Sequence, residues 1–167
     1  MQHYGLPTRL LDWTAGSLIA LHFALSRDTG EVDAAVWTLD PWALNSWSIR
    51  NADLVITGGE FEPEPTAIKY LQPVYKPVRL PSRPIAVVPP HNSPRITAQR
   101  GTFTVHGRRL EGLEQQFSKR IAKIVIPRHR AVEMRRHLRG MGISEFTLFP
   151  DLEGLCRDIR SIEVEGC

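Results

Sequence analysis

Gln2-His3-Tyr4-Gly5-Leu6-Pro7-Thr8-Arg9-Leu10-Leu11-Asp12-Trp13-Thr14 opens the chain and holds its densest polar chemistry. His3 can donate, accept or shuttle a proton near neutral pH. The Arg9 guanidinium suits a phosphate or carboxylate held in a bidentate fork. Asp12 can orient a base or Arg9, Thr8 offers a hydroxyl, and Tyr4 and Trp13 offer rings for stacking. The segment leads into a helix start, where unpaired N–H groups and the positive dipole end favour an anion. His3, Arg9 and Asp12 are therefore candidate catalytic residues, with Tyr4, Thr8 and Trp13 as candidate substrate contacts. A plainer reading stands beside this one. Asp12 then serves only as an N-cap, Arg9 and Asp12 as a structural ion pair, and Trp13 as core.

Two further clusters carry charge or polarity. In Arg95-Ile96-Thr97-Ala98-Gln99-Arg100-Gly101-Thr102-Phe103, Gln99 and Arg100 precede a glycine that releases the chain into a strand. Such a junction can line a cleft, which adds Gln99 to the catalytic set and Arg100 to the substrate contacts. Equally, Gln99 can cap backbone groups at the turn. The stretch RHRAVEMRRHLR forms a basic helix with Arg128, Arg135 and Arg139 near one face and Arg136 beside them. Those arginines suit a nucleic-acid backbone, one phosphate contact each, or simply a solvated face. His129 and His137 lack acidic or Cys partners, so no metal site is expected there. Cys156 and Cys167 read as free thiols, without a nearby His at zinc-ligand spacing. A P-loop, a dinucleotide GxGxxG, a GxSxG elbow and an HExxH are all missing, which removes the commonest ATPase, dehydrogenase, hydrolase and metalloprotease readings.

The elements that must position these residues are legible in outline. Gly5 and Pro7 make residues 1–14 read as loop. Asp12 or Thr14 then caps a helix to about Arg27, ended by Asp28-Thr29-Gly30. Leu18, Ile19, Leu21, Phe23 and Leu25 leave that helix almost no polar face, which predicts a buried central position. Ala34 to Leu39 reads as a strand, and Asp40-Pro41 starts a short helix to about Trp47. The acidic, proline-bearing Glu60 to Pro65 predicts an exposed connection, followed by a short helix over Thr66 to Leu71. Ile85 to Val88 is a buried strand closed by Pro89-Pro90, and Asn92 or Ser93 opens a helical turn ending near Gly101. Thr102 to His106 and Ala122 to Ile126 read as strands, with His106 at the surface. Arg128 to Arg139 is a helix with Ala131, Met134 and Leu138 on one face, closed by Gly140 or Gly142. Glu145 to Leu148 reads as a strand. Asp151 then caps a last helix whose Leu152, Leu155, Cys156, Ile159 and Ile162 form an amphipathic stripe.

Mixed strands and helices without strict βαβ alternation predict an α+β fold, with a mixed or antiparallel sheet packed against a buried helix and a C-terminal amphipathic helix. A length of 167 residues fits a single domain over 1–167, with enough chain for a sizeable core. Hydrophobic content of 42% and charged content of 23% exclude wholesale disorder. No apolar run is long enough for a membrane span, and no leader is visible at the start, so a cytoplasmic protein is expected. Charge is lopsided. Lys76 to Arg139 holds fifteen Lys/Arg and three acids, whereas the rest holds six and fifteen. Either that basic half serves phosphates or nucleic acid, or the two halves meet and neutralise one another.

QHYGLPTRLLDWT followed by LIALHFALS closely resembles the signature of the FRG domain family, and PRITAQRGTFTVHG, AKIVIP and GISEFTLFPDLEGLCRDI are similar to its second half. His3, Thr8, Arg9 and Asp12 match the family motif residue by residue. The Phe-Arg-Gly motif for which the family is named does not occur in this chain, which implies a truncated member with part of the residue set missing. The family is widespread in bacteria, with members in anti-phage and mobile-element settings. By analogy of layout the resemblance suggests an ADP-ribosyltransferase-like enzyme using NAD or another nucleotide, with Tyr4 beside the nicotinamide, Gln99 orienting the nucleophile and Arg9 at the diphosphate. No catalytic Glu stands in a late strand to complete that layout. The alternative is a non-catalytic module that binds nucleic acid or protein through the basic segment. Neither reading sets an oligomeric state.

Overall fold

Ile85–Val88 is a run of four apolar residues, too short for a helix and suited to a strand covered on both faces. In the computed structural model, which describes residues 8–26, 31–58, 68–70, 80–109 and 111–165, it is the inner strand β4 of a mixed sheet. The order is β1 (Leu10–Thr14), β5 (Gly101–Val105), β4, β3 (Val55–Ile56). β3 runs parallel to β4 with Val55 opposite Val87, and β5 runs antiparallel with Val105 opposite Ile85. β2 (Ala34–Leu39) and β6 (Ile121–Ile126) form a separate two-stranded sheet. The helices are α1 (Ser17–Ser26), α2 (Pro41–Ile49), α3 (Pro94–Ala98), α4 (Leu113–Gln116), α5 (Ala131–Gly140), α6 (Glu145–Leu148) and α7 (Leu152–Glu165). Single 3-10 turns lie at Ser118–Arg120 and Arg128–Arg130. Helical backbone also occurs at residues 68–70, inside the short helix expected there. The fold is α+β.

The chain divides into two compact units. The first comprises Met1–Trp13, Thr38–Pro90 and Thr102–Ala122, and the second Thr14–Trp37, His91–Gly101 and Lys123–Cys167. In the first, alternate residues of β4 serve different cores. Ile85 and Val87 pack with Val55, Tyr70 and Val105, whereas Ala86 packs with Leu44, Leu113 and Phe117. α2 begins as its sequence predicts, with Asp40 Oδ1 accepting the Ala43 N–H at 2.9 Å and Pro41 in the first turn. Its buried Asn45 is a side chain that sequence reading does not single out. The amide donates to the carbonyls of Ala86 and Asp53 at 3.0 and 2.9 Å and accepts the Ala86 N–H at 2.8 Å. It thus gives β4 the hydrogen bonds a neighbouring strand would supply.

In the second unit Leu25 of α1 meets Ile126, Ala131 and Leu138, the last two from the expected apolar face of α5. α5 is preceded by a 3-10 turn rather than beginning at Arg128, because the Arg130 N–H bonds back three residues to the Pro127 carbonyl at 2.9 Å. Gly142, at φ +80, ends the turn while Ile143 N–H bonds back to the Leu138 carbonyl at 2.9 Å. Asp151 Oδ1 accepts the Gly154 N–H at 2.7 Å and starts α7.

Several expectations are corrected. Leu10–Thr14 is a strand, not loop, because the β5 edge offers it a ladder. His106 N–H donates to the Arg9 carbonyl at 2.8 Å, and Ala15 N–H to that of Arg100 at 3.1 Å. Asp12 therefore lies in a strand and does not cap α1. Thr14 is closer to that role, its Oγ1 accepting the Gly16 N–H at 3.0 Å. α1 is only partly buried, with Ile19 and Leu25 inside and Leu18 exposed. Residues 145–148 are helical, because Ser144 and Thr147 form a reciprocal capping box that overrides the strand preference of Phe146 and Thr147. His106 is half-buried, not a surface residue. The Asp28-Thr29-Gly30 turn, the Glu60 to Pro65 connection and most of the Thr66 to Leu71 helix lie outside the described residues.

Candidate functional site

In the first unit the opening motif is described from Thr8 onward; His3 and Tyr4 lie outside the described residues. Arg9 is half-buried, and its guanidinium donates to two main-chain carbonyls, Tyr70 at 2.5 Å and His106 at 3.2 Å. A planar fork holds its N–H groups in fixed directions toward two such oxygens, a geometry that a rotating ammonium does not preset. Both carbonyl partners belong to residues that burial disfavours in the charged form. The Tyr70 phenol is pushed up to about 12, and the His106 imidazole is held below the usual histidine range. Thr8 is exposed, and its hydroxyl accepts the Leu10 N–H at 3.3 Å. Asp12 is exposed on β1. Trp13 packs beside Leu44, Ala86 and Phe117, and its indole N–H donates to buried Thr104 Oγ1 at 3.1 Å.

The second unit holds the rest of the candidate set. The Gln99 amide donates to the Leu148 carbonyl at 3.0 Å, and its own carbonyl accepts from Thr14 Oγ1 at 2.8 Å. Arg100 is exposed in the left-handed region at φ 48, an uncommon backbone for a residue with a Cβ, and it places Gly101 at the head of β5. Arg128 is exposed and donates to the Glu31 carbonyl at 3.0 Å. Arg135 donates to the Leu25 carbonyl at 3.2 Å, and Arg139 to Ser161 Oγ at 2.8 Å; both are half-buried. Arg136 is exposed. Five side chains between Arg128 and His137 are both basic in type and exposed: Arg128, His129, Arg130, Arg136 and His137.

The same unit contains a polar network that the spacing of residues hides. His22 Nε2 lies 3.1 Å from Glu145 Oε1, and Arg157 Nε donates to Glu145 Oε2 at 2.9 Å. Arg157 and Arg95 each lie against the Phe149 ring, at 4.8 and 4.7 Å from its centroid. One sign of it was visible: His22 is the sole polar interruption in Leu18–Leu25. Among the described residues no group of three or more His, Cys, Asp or Glu is gathered for a metal ion. No helix among them is long and apolar enough to cross a membrane.

The opening motif, strand β1 and helix α1 thus form one continuous stretch that begins with the candidate residues. Residues 1–32 match the FRG domain model. The FRG-matching segment takes in His3, Tyr4, Thr8, Arg9, Asp12 and Trp13, and leaves Gln99, Arg100 and the basic helix outside it. Comparison with curated proteins and with solved structures gives no match.

Proposed function

We propose that the chain is a binding module that takes the phosphate backbone of nucleic acid on the face begun by Arg128 and carried along α5. One observation supports it above the others: the five exposed Arg and His side chains of residues 128–137, interrupted by a single acid, Glu133, which Arg130 meets at 3.2 Å. A helix face of this kind tracks backbone charge without reading bases. The hydrogen bond from Arg128 to the Glu31 carbonyl orients its guanidinium, and a carbonyl partner leaves the positive charge in place. The test is fluorescence anisotropy of labelled single-stranded DNA, duplex DNA and RNA across a salt series. Affinity is expected to fall linearly on a log–log plot, and Arg128→Ala and Arg136→Ala each to reduce the slope by about one phosphate contact. Binding that ignores ionic strength, or that neither substitution changes, removes the proposal.

A nucleotide-using enzyme, ADP-ribosyltransferase-like and acting on NAD, is the second reading. It is favoured by the match of residues 1–32, a segment whose sequence contains His3, Tyr4, Thr8, Arg9, Asp12 and Trp13. Against it, Arg9 donates to two main-chain carbonyls and Gln99 to a third, so each is held by the fold. Turnover of labelled NAD, with Asp12→Asn as the control, decides it. Label transfer that the control abolishes establishes the enzyme, and absence of NAD consumption removes it.

A further inference from the structure

Phe117-Ser118-Lys119-Arg120 sets one aromatic residue before three polar ones. Phe117 turns inward, and its ring meets that of Trp47 from α2 with centroids 5.2 Å apart. Ser118, Lys119 and Arg120 stay exposed. Between this turn and α2 lies a groove of about 530 Å³, within the size range of small-molecule sites. Ala43, Trp47 and Phe117 give it an apolar lining, and Ser46 and Ser118 offer exposed hydroxyls. Lys119 and Arg120 bring two positive charges to its rim. All of these residues belong to the first unit, whereas α5 belongs to the second.

The aromatic part of the groove is held from behind. Arg83 donates to the Trp47 carbonyl at 2.5 Å and lays its guanidinium 4.3 Å from the indole centroid. A ring fixed in this way loses little freedom when a ligand meets it. Two polar groups on lining residues have no partner among the described residues: the Trp47 indole N–H and the buried Gln116 Oε1. Groups left so are rare in a native fold. Charge then selects the ligand. None of the lining residues is acidic. Lys119 has no ion pair among the described residues. Asp40 lies 4.0 Å from Arg120, but its Oδ1 already accepts the Ala43 N–H. We infer that the groove binds a small molecule with a flat apolar body and one anionic group, a carboxylate or a phosphate. The body lies against Trp47 and Phe117, and the anion meets Lys119 and Arg120.

The experiment titrates the whole chain with naphthyl phosphate, naphthylacetate and the neutral naphthylacetamide. Nitrogen-edited NMR follows the Trp47 indole N–H and the backbone amides of Phe117 to Lys119. At least one anion is expected to bind about tenfold or more tighter than the amide, a gap that narrows as salt is raised. Whichever anion binds tighter names the headgroup. Lys119→Gln removes a charge from an exposed side chain, so the melting curve should stay where it is. The same change should bring that anion to within about threefold of the amide, whose own affinity does not move. A merely structural lysine would instead shift the melting curve and weaken all three probes alike. Equal affinity for the three probes, no binding of any, or binding that leaves the Trp47 signal in place would overturn the inference.

Discussion

Arg9 shows how a side chain with the chemistry of a ligand can be occupied by the fold itself. Its position in a Gly/Pro-rich polar segment suggests an anion site, and the sequence contains nothing that reveals the two carbonyl partners, which lie 61 and 97 residues away. Hydrogen bonds from a charged donor to buried acceptors are worth about 1.5–3 kcal/mol each in mutational series, and fewer survive when the geometry cannot be kept. Arg9→Lys retains the charge but loses the fork, so we expect urea denaturation to show a loss of about 1–3 kcal/mol. A variant that keeps full stability yet loses anion affinity would instead place Arg9 in a ligand site. Gln99 teaches the same lesson more openly. Its position before a glycine allows both a cleft and a turn cap, and its amide reaches the Leu148 carbonyl, a partner on an element that the sequence mistakes for a strand.

Elements were legible where a local signal and the tertiary environment agree. Ala34–Leu39 and Ile85–Val88 are strands with the expected bounds, and Asp40-Pro41 and Asp151 start helices, because β-branched runs and capping residues act within a few positions. Leu10–Thr14 was hidden because it has no alternation of its own and is a strand only by pairing with β5. Glu145–Leu148 was misread because Phe146 and Thr147 favour strands, while the deciding bond is a capping box closed by Thr147 on Ser144. The attachment of α2 to β4 is a third case, resting on Asn45, a single buried amide that saturates both backbone groups of Ala86. Replacement by leucine of similar volume keeps the packing but strands a buried N–H and two carbonyls. Asn45→Leu is therefore expected to cost about 2–4 kcal/mol, read from the denaturant midpoint, and to speed exchange of the Ala86 amide proton. An unchanged midpoint with a protected Ala86 amide would show that the strand does not depend on this side chain.

At the scale of the whole molecule, the lopsided charge of the sequence largely levels out when the chain is regrouped by unit. The first holds ten Lys/Arg and eight acids and the second eleven and ten, since the basic half of the sequence and the acidic remainder are shared between both. Concentrated charge survives at the level of helices, basic in α5 and acidic in α7, and the functional proposal rests on the first of them. The pH dependence of stability follows from burial more than from net charge. Tyr70 is 1% exposed, its hydroxyl donates to the Arg83 carbonyl at 2.8 Å, and its pKa is pushed up to about 12 by desolvation. In the unfolded chain a tyrosine ionises near 10, so between about pH 10 and 12 the unfolded state has released a proton that the folded state still holds. Stability from this group is accordingly full below pH 10 and lost as pH rises through 12, by roughly 2–3 kcal/mol. Urea unfolding measured at steps from pH 9 to 12 should show that decline in the native chain. Tyr70→Phe cannot ionise, so its curve should start lower, for want of the bond to Arg83, and fall less steeply over the same window. Parallel curves for the two proteins would mean that another group governs the alkaline limit and that the Tyr70 hydroxyl is reached by water.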